Sequence, residues 1–287
     1  LNSSPKTSKV RGFLPASQIT PSTIRLELLE ARARGSRRGP SLLFIPGAGH
    51  AAWAFAEWIE FFAERGFDSY SLSLRGHGAS EGGETLRTAS FDDYLADVRQ
   101  AIARIGGPVV LIGHSMGGNL IQKHLESEIA AGAVLLCTSS AEDVWRSAPR
   151  TFAAHPWTML KHAVTGNPDY LFHAREVCRA IFFDGDRSAA AERALDRLGR
   201  QSESKRVIQD LMKFKAGDPK GFQPMLIVGG GRDKSIPLAS HEARARQYKA
   251  RVKFYEQAPH EFLLLDGWQA CAVDLLNWME DVFTEAA

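Results

Sequence analysis

Cysteine is scarce in this chain, with only Cys137, Cys178 and Cys271. They are far apart, odd in number and form no C-x-x-C pair, which excludes a disulfide-stapled scaffold. Buried free thiols in a reducing compartment are expected. No apolar stretch approaches ~18 residues, so no membrane span is expected. An excess of one charge is also missing. The 35 basic and 33 acidic residues leave a formal net charge of +2, which gives no support for nucleic acid or an anionic membrane as the main partner. The basic run Arg32, Arg34, Arg37, Arg38 lies beside Gly35 and Gly39 and reads as a solvated turn. The start, LNSSPKTSKV, lacks the apolar core of a signal peptide and points to a cytoplasmic protein. It also lacks Met, which leaves a removed export signal open. Its first ten or so residues are polar and are expected to be loose.

What is present is an ordinary globular composition, 44% hydrophobic and 24% charged over 287 residues, enough for a sizeable core. Strand and helix patterns alternate. Strands are predicted at 23–32, 41–46, 68–74, 108–113 and 133–139, with helices at 53–66, 90–107 and 115–127 between them. Ser90 is a good N-cap, and Gly66 and Gly106 are stops. The alternation breaks over 141–222, which has helical signals, few strand signals and much charge. It resumes with a strand at 223–230, a helix at 238–249, a strand at 251–257 and a last amphipathic helix at about 267–282. This predicts an α/β fold with a mostly parallel central sheet flanked by helices. The core domain is 1–140 with 223–287, and a helical cap, 141–222, is inserted between the sixth and seventh regular strands.

The chemistry concentrates at strand ends. In VVLIGHSMGGNL (109–120) a strand runs into Gly113-His114-Ser115-Met116-Gly117 and a helix begins at once, the context a nucleophile elbow requires. Residues two before and two after Ser115 must be small, and Gly118 lets the helix pack close. A serine hydroxyl needs a base to take its proton. His260 follows a strand in a loop at its C-terminal end, where open α/β sheets place their sites. His114 is expected to point away and pack, and His77 to be structural. The base needs an orienting acid. Asp233 follows strand 223–230 and a glycine turn and is preferred to Asp218 and Asp266. Its bland alternative is a helix cap. The Met116 N–H at the helix N-terminus and the Ala48 N–H in IPGAGHAAW (45–53) are the expected oxyanion donors. His50 is expected either to touch substrate or to lie on the surface. His50, Trp53, Trp145, Phe152, Trp157, Phe172, Phe182 and Phe183 are candidates for lining an apolar acyl pocket, although cap packing explains any single cap aromatic as well. No H-E-x-x-H, Cys/His cluster, P-loop or G-x-G-x-x-G is present, so no metal and no cofactor are expected. Dehalogenase or epoxide hydrolase chemistry would need Asp at the elbow.

The segments PGAGH (46–50), LRGHGASEG (74–82), SFDDYLADV (90–98), GHSMGG (113–118), GGGRDKSIP (229–237) and APHEF (258–262) resemble the α/β-hydrolase family over most of the chain. The LRGHGASEG and SFDDYLADV segments are similar to the lysophospholipase and monoacylglycerol lipase-like branch. One departure is Pro46, where many members carry His. The resemblance implies the α/β-hydrolase fold, Ser115 as nucleophile, Asp233 as acid, His260 as base, and Ala48 and Met116 as backbone donors. It implies a small-molecule acyl ester as substrate. The same core also serves lactones, thioesters and carbon–carbon bonds, and a non-catalytic ligand-binding protein is the alternative from another class.

Overall fold

The computed structural model describes residues 24–198, 200 and 203–284. The expectation of a loose N-terminus lies outside the described residues. Seven strands form one sheet: β1 (Leu28–Ala31), β2 (Ser41–Ile45), β3 (Ser69–Leu72), β4 (Val109–His114), β5 (Gly132–Leu136), β6 (Met225–Gly230) and β7 (Arg251–Tyr255). Their spatial order is β1-β3-β2-β4-β5-β6-β7; β1 pairs antiparallel with β3 and every other pairing is parallel. The helices between them are α1 (Ala56–Ala63), α2 (Phe91–Ile105) and α3 (Met116–Leu125). Six more lie between β5 and β6: α4 (Ala141–Ala154), α5 (Pro156–Thr165), α6 (Asp169–Phe172), α7 (Arg175–Phe182), α8 (Ala189–Leu198) and α9 (Lys205–Leu211). α10 (Leu238–Tyr248) joins β6 to β7, and α11 (Trp268–Thr284) follows β7.

Period-2 alternation sorts the central strands onto two cores. Leu42 and Phe44 of β2 join Ile112, Val134 and Val228 under α1 and α11, where Trp58, Phe62, Trp268 and Trp278 are buried. Leu43 and Ile45 join Leu111, Leu135 and Ile227 under α2, α3 and α10. Burial on both faces explains why these strands read as apolar runs. Each fully buried large side chain contributes about 2 kcal/mol. At the far edge, β7 exposes Arg251, Val252 and Lys253.

The N-cap prediction is met in full. Ser90 and Asp93 form a capping box, and Gly106 stops α2 at φ 71°. Three expectations change. The helical excursion falls between the fifth and sixth strands, not the sixth and seventh, because only five strands precede it among the described residues. The predicted 23–32 strand pairs only at Leu28–Ala31, the stretch facing β3. The helix predicted from 53 begins with a 3₁₀ turn, Ala52–Phe55, where the chain comes off β2 and the Ala52 amide is held by Ser73 Oγ at 2.8 Å. The arginine run is solvent-facing as expected, with Arg34 paired to Glu60 and Glu64 and Arg38 to Glu280. All three cysteines are buried and free.

Candidate active site

β4 ends in a turn so tight that it dictates its neighbours. Ser115 sits at φ 49°, ψ −117°, a left-handed conformation that is costly for any residue with a side chain. A methyl group added at Gly117 would lie 2.2 Å from the Ile45 carbonyl oxygen, and one at Gly118 would lie 1.8 Å from Thr138 Oγ1. The glycines are therefore the condition for bringing α3 against β2 and β5. The Ser115 amide is tied to the Leu136 carbonyl at 2.9 Å. Its hydroxyl is left without a hydrogen bond among the described residues and is partly exposed at the C-terminal edge of the sheet.

Two strands further along the same edge, the turn after β6 presents Asp233. Asp233 Oδ1 accepts the backbone N–H groups of Ser235 (2.8 Å) and Ile236 (3.0 Å). Its Oδ2 lies 2.7 Å from His260 Nδ1. It does not cap α10, whose N-cap position is Pro237. Of the three acids considered, Asp233 is the one that meets His260; Asp266 instead rims a separate cavity of about 600 Å³. Burial alone raises the Asp233 carboxyl, but the charge of His260 and the two N–H donors outweigh it and hold it below its ordinary value. Burial pulls His260 down, and the adjacent carboxylate outweighs that, so its pKa lies above 6.5. With Nδ1 committed to Asp233, Nε2 is the nitrogen available for proton exchange.

His114 is buried and packs its ring 4.9 Å from that of His260. It does more than fill space, since its Nε2 lies 3.1 Å from the His260 carbonyl oxygen. Burial drives its pKa down to about 3, so it stays neutral and donates there. Of the two expectations for His50, the surface one requires correction, because the ring is buried. It is 2% exposed, with Nε2 3.2 Å from Glu261 Oε2. Desolvation favours just such pairing of a buried carboxylate. Burial raises the Glu261 carboxyl, but the charge of His50 prevails and brings it down to about 2.

The loop after β2 lies over Ser115. A methyl group at Gly47 would stand 3.2 Å from Ser115 Cβ. Neither the Ala48 N–H nor the Met116 N–H donates to another group among the described residues, which leaves both free to serve a ligand. The pocket candidates separate. Phe182 stands 5.4 Å from the His260 ring and stacks with Phe172 at 6.5 Å. Trp53 stacks on His50 at 5.5 Å and lines a cavity of about 330 Å³ with Trp58 and Trp268. Phe183 is buried in the small core of α7 and α8. Trp145, Phe152 and Trp157 stand exposed on α4 and α5.

Two side-chain sets bring three metal-type ligand atoms within 4.8 Å of one another: His114, His260 and Glu261, and Cys137, Asp233 and His260. Both share His260, whose Nδ1 already faces Asp233, and the Cys137 thiol is held protonated by burial and the nearby Asp233 charge.

Residues 42–274 match the profile described as the Alpha/beta hydrolase family. The chain belongs to that family. This α/β-hydrolase is 24% identical over 262 residues to Protein ABHD8 of Mus musculus, covering 80% of this chain and 53% of that protein. It thus spans about half the length of that relative. Among solved structures it is similar to a thermophilic esterase from Thermogutta terrifontis, with a TM-score of 0.69 at 17% identity over 92% of this chain and 96% of the other. The monoacylglycerol lipase of Paleococcus ferrophilus gives a TM-score of 0.67 at 18% identity over 90% and 99%. A Bacillus megaterium epoxide hydrolase gives 0.65 at 16% over 90% and 97%. At these identities the likeness establishes the fold.

Sequence reasoning did not single out Glu261, or the buried carboxylate Glu203 that accepts the Gly49 amide at 2.9 Å. Glu261 is adjacent to His260 and was open to notice. Glu203 is 154 residues from Gly49 and carries no local signal.

Proposed function

We propose that this α/β-hydrolase cleaves a small, lipid-like carboxylic ester through an acyl-enzyme on Ser115. The observation that carries the reading is the 2.7 Å contact between Asp233 and His260 on the sheet edge where Ser115 is held in its left-handed turn. The ester carbonyl lies over Ser115 with its oxygen toward the Ala48 and Met116 N–H groups. His260 Nε2 takes the hydroxyl proton as Oγ bonds to the carbonyl carbon, and the carbonyl π electrons move to the oxygen. Asp233 stabilises the imidazolium. When the tetrahedral species collapses, the bond to the leaving alkoxide breaks and His260 returns the proton to it. Water repeats the sequence on the acyl-enzyme and frees the acid. Each oxyanion donor is worth about 3 kcal/mol of barrier. Serine at the elbow separates this chemistry from that of the epoxide hydrolase neighbour.

Residues 141–222 are proposed as a cap over a core formed by 1–140 and 223–287. Phe182 and Trp53, ring neighbours of His260 and His50, are proposed to flank the substrate. The names of the esterase and lipase neighbours are in keeping with an acyl ester. The test is labelling by a fluorophosphonate with the modified peptide mapped, together with a panel of p-nitrophenyl esters, acyl thioesters and lactones. Wild type should label at Ser115 and turn over esters fastest. Ser115→Ala should lose the label and at least about 10⁴-fold in kcat. A wild-type protein that neither labels nor turns over any of the panel would defeat the proposal in favour of a binding protein.

A further inference from the structure

The reaction proposed above needs the Ala48 N–H aimed at the oxyanion, and the loop that carries it is short and glycine-rich. Such a loop does not hold its own peptide planes. The structure supplies three restraints, two from His50 at the end of the loop and one from a residue far along the chain. The His50 N–H donates to the Gly47 carbonyl at 3.3 Å, which fixes the peptide bearing the Ala48 N–H. On the next peptide, His50 Nδ1 donates to the Ala48 carbonyl at 2.8 Å. The opposite end of that same peptide, the Gly49 N–H, donates to Glu203 Oε1 at 2.9 Å. The Ala48–Gly49 plane is thus gripped from both sides, and it cannot rotate without breaking both bonds.

Each grip is anchored in turn. His50 is held by Glu261. Glu203, 4% exposed, meets His77 Nε2 at 3.2 Å and accepts a hydrogen bond from the Tyr94 hydroxyl. His77 Nδ1 lies 3.0 Å from the Arg75 carbonyl oxygen, which it serves as donor. Glu203 is the member that comes from the helical excursion. Its neighbour Ser204 accepts the Val207 amide at 2.9 Å at the start of α9 and donates to the Ala89 carbonyl, so the segment is fastened to the core just before α2. An unpaired buried carboxylate is costly, so Glu203 stays in place only while His77, Tyr94 and Gly49 surround it.

We propose that Glu203 is a positioning residue that clamps the Ala48–Gly49 peptide, so that the oxyanion loop is aimed only while the excursion is docked on the core. This rests on the serine-hydrolase reading and gives the excursion a role in chemistry as well as in covering the site. Because the clamp acts through backbone orientation, its loss should weaken binding of the tetrahedral species and leave ground-state binding alone.

The test uses the full chain with p-nitrophenyl butyrate, an alkyl boronic acid as tetrahedral mimic, and amide hydrogen exchange. Glu203→Gln should lower kcat about tenfold with KM unchanged, weaken boronate affinity in parallel, and speed exchange at the Gly49 amide. Tyr94→Phe keeps the ring and removes one bond to Glu203; it should move all three readouts the same way by a smaller factor, and it decides the matter if Glu203→Gln does not fold. Wild-type kcat and Gly49 exchange in the folded variants would overturn the clamp, as would a rise in KM alone. Absence of fluorophosphonate labelling in wild type defeats the reading beneath it instead, and unaltered Gly49 exchange then still counts separately against the clamp.

Discussion

His260 sits between two opposing influences. Burial favours its neutral form, Asp233 favours the imidazolium, and the balance lies above 6.5. A base must be deprotonated to act, so kcat/KM should rise with pH through a limb whose midpoint exceeds 6.5. In Asp233→Asn the carboxylate that raises the pKa is gone while burial remains. The limb should move to lower pH and kcat should drop about 10³-fold or more. A pH–rate profile of both proteins checks this, and an unmoved limb would show that Asp233 does not act through His260. The contact of Asp233 with His260 and the tight turn at Ser115 were legible in the sequence because each residue follows a strand at its C-terminal end. The pairing of His50 and the place of Glu203 were not, since their partners, Glu261 and Gly49, come from remote parts of the chain and neither sits in a motif that names its partner.

Packing at the nucleophile turn belongs to the scale of elements. Here α3 lies so close to the segment just after β5 that Gly118 has no room for a methyl group against Thr138. Gly118→Ala should cost about 2 kcal/mol or more, within or beyond the usual range for an overpacked core. Thr138→Ala removes the atom nearest the new methyl, so the double variant should recover part of that loss. Denaturant melts of the four proteins give the coupling energy, and an additive result would place the clash elsewhere. The elements themselves were the most legible layer. Apolar runs with glycine stops marked the strands, and Ser90 as an N-cap marked the start of α2. Helix signals in the excursion were visible, but its place in the strand count was not, because strand number is settled by pairing and not by local pattern. The short extent of β1 has the same origin.

Over the whole molecule, the buried acids make stability depend on pH. Glu261 titrates at about 2 in the folded protein against an ordinary 4.5. A lowered carboxyl stabilises the fold fully above its unfolded pKa and loses that contribution as pH falls from about 4.5 through 2. Thermal melts should therefore decline steeply below pH 4.5. Glu261→Gln leaves His50 without its partner and should be about 3 kcal/mol less stable at pH 7, with the deficit narrowing toward pH 2. A deficit that stays constant over that range would assign the loss to packing. The separation of the working parts along the chain has a further consequence during synthesis. On a ribosome adding roughly 5–20 residues per second, Ser115 emerges on the order of ten seconds before His260, the base in the mechanism proposed above, and Glu203 arrives in between. Under that mechanism the nascent chain carries an inert alcohol past every ester it meets, and competence to react appears only once β7 and the loop after it have been made.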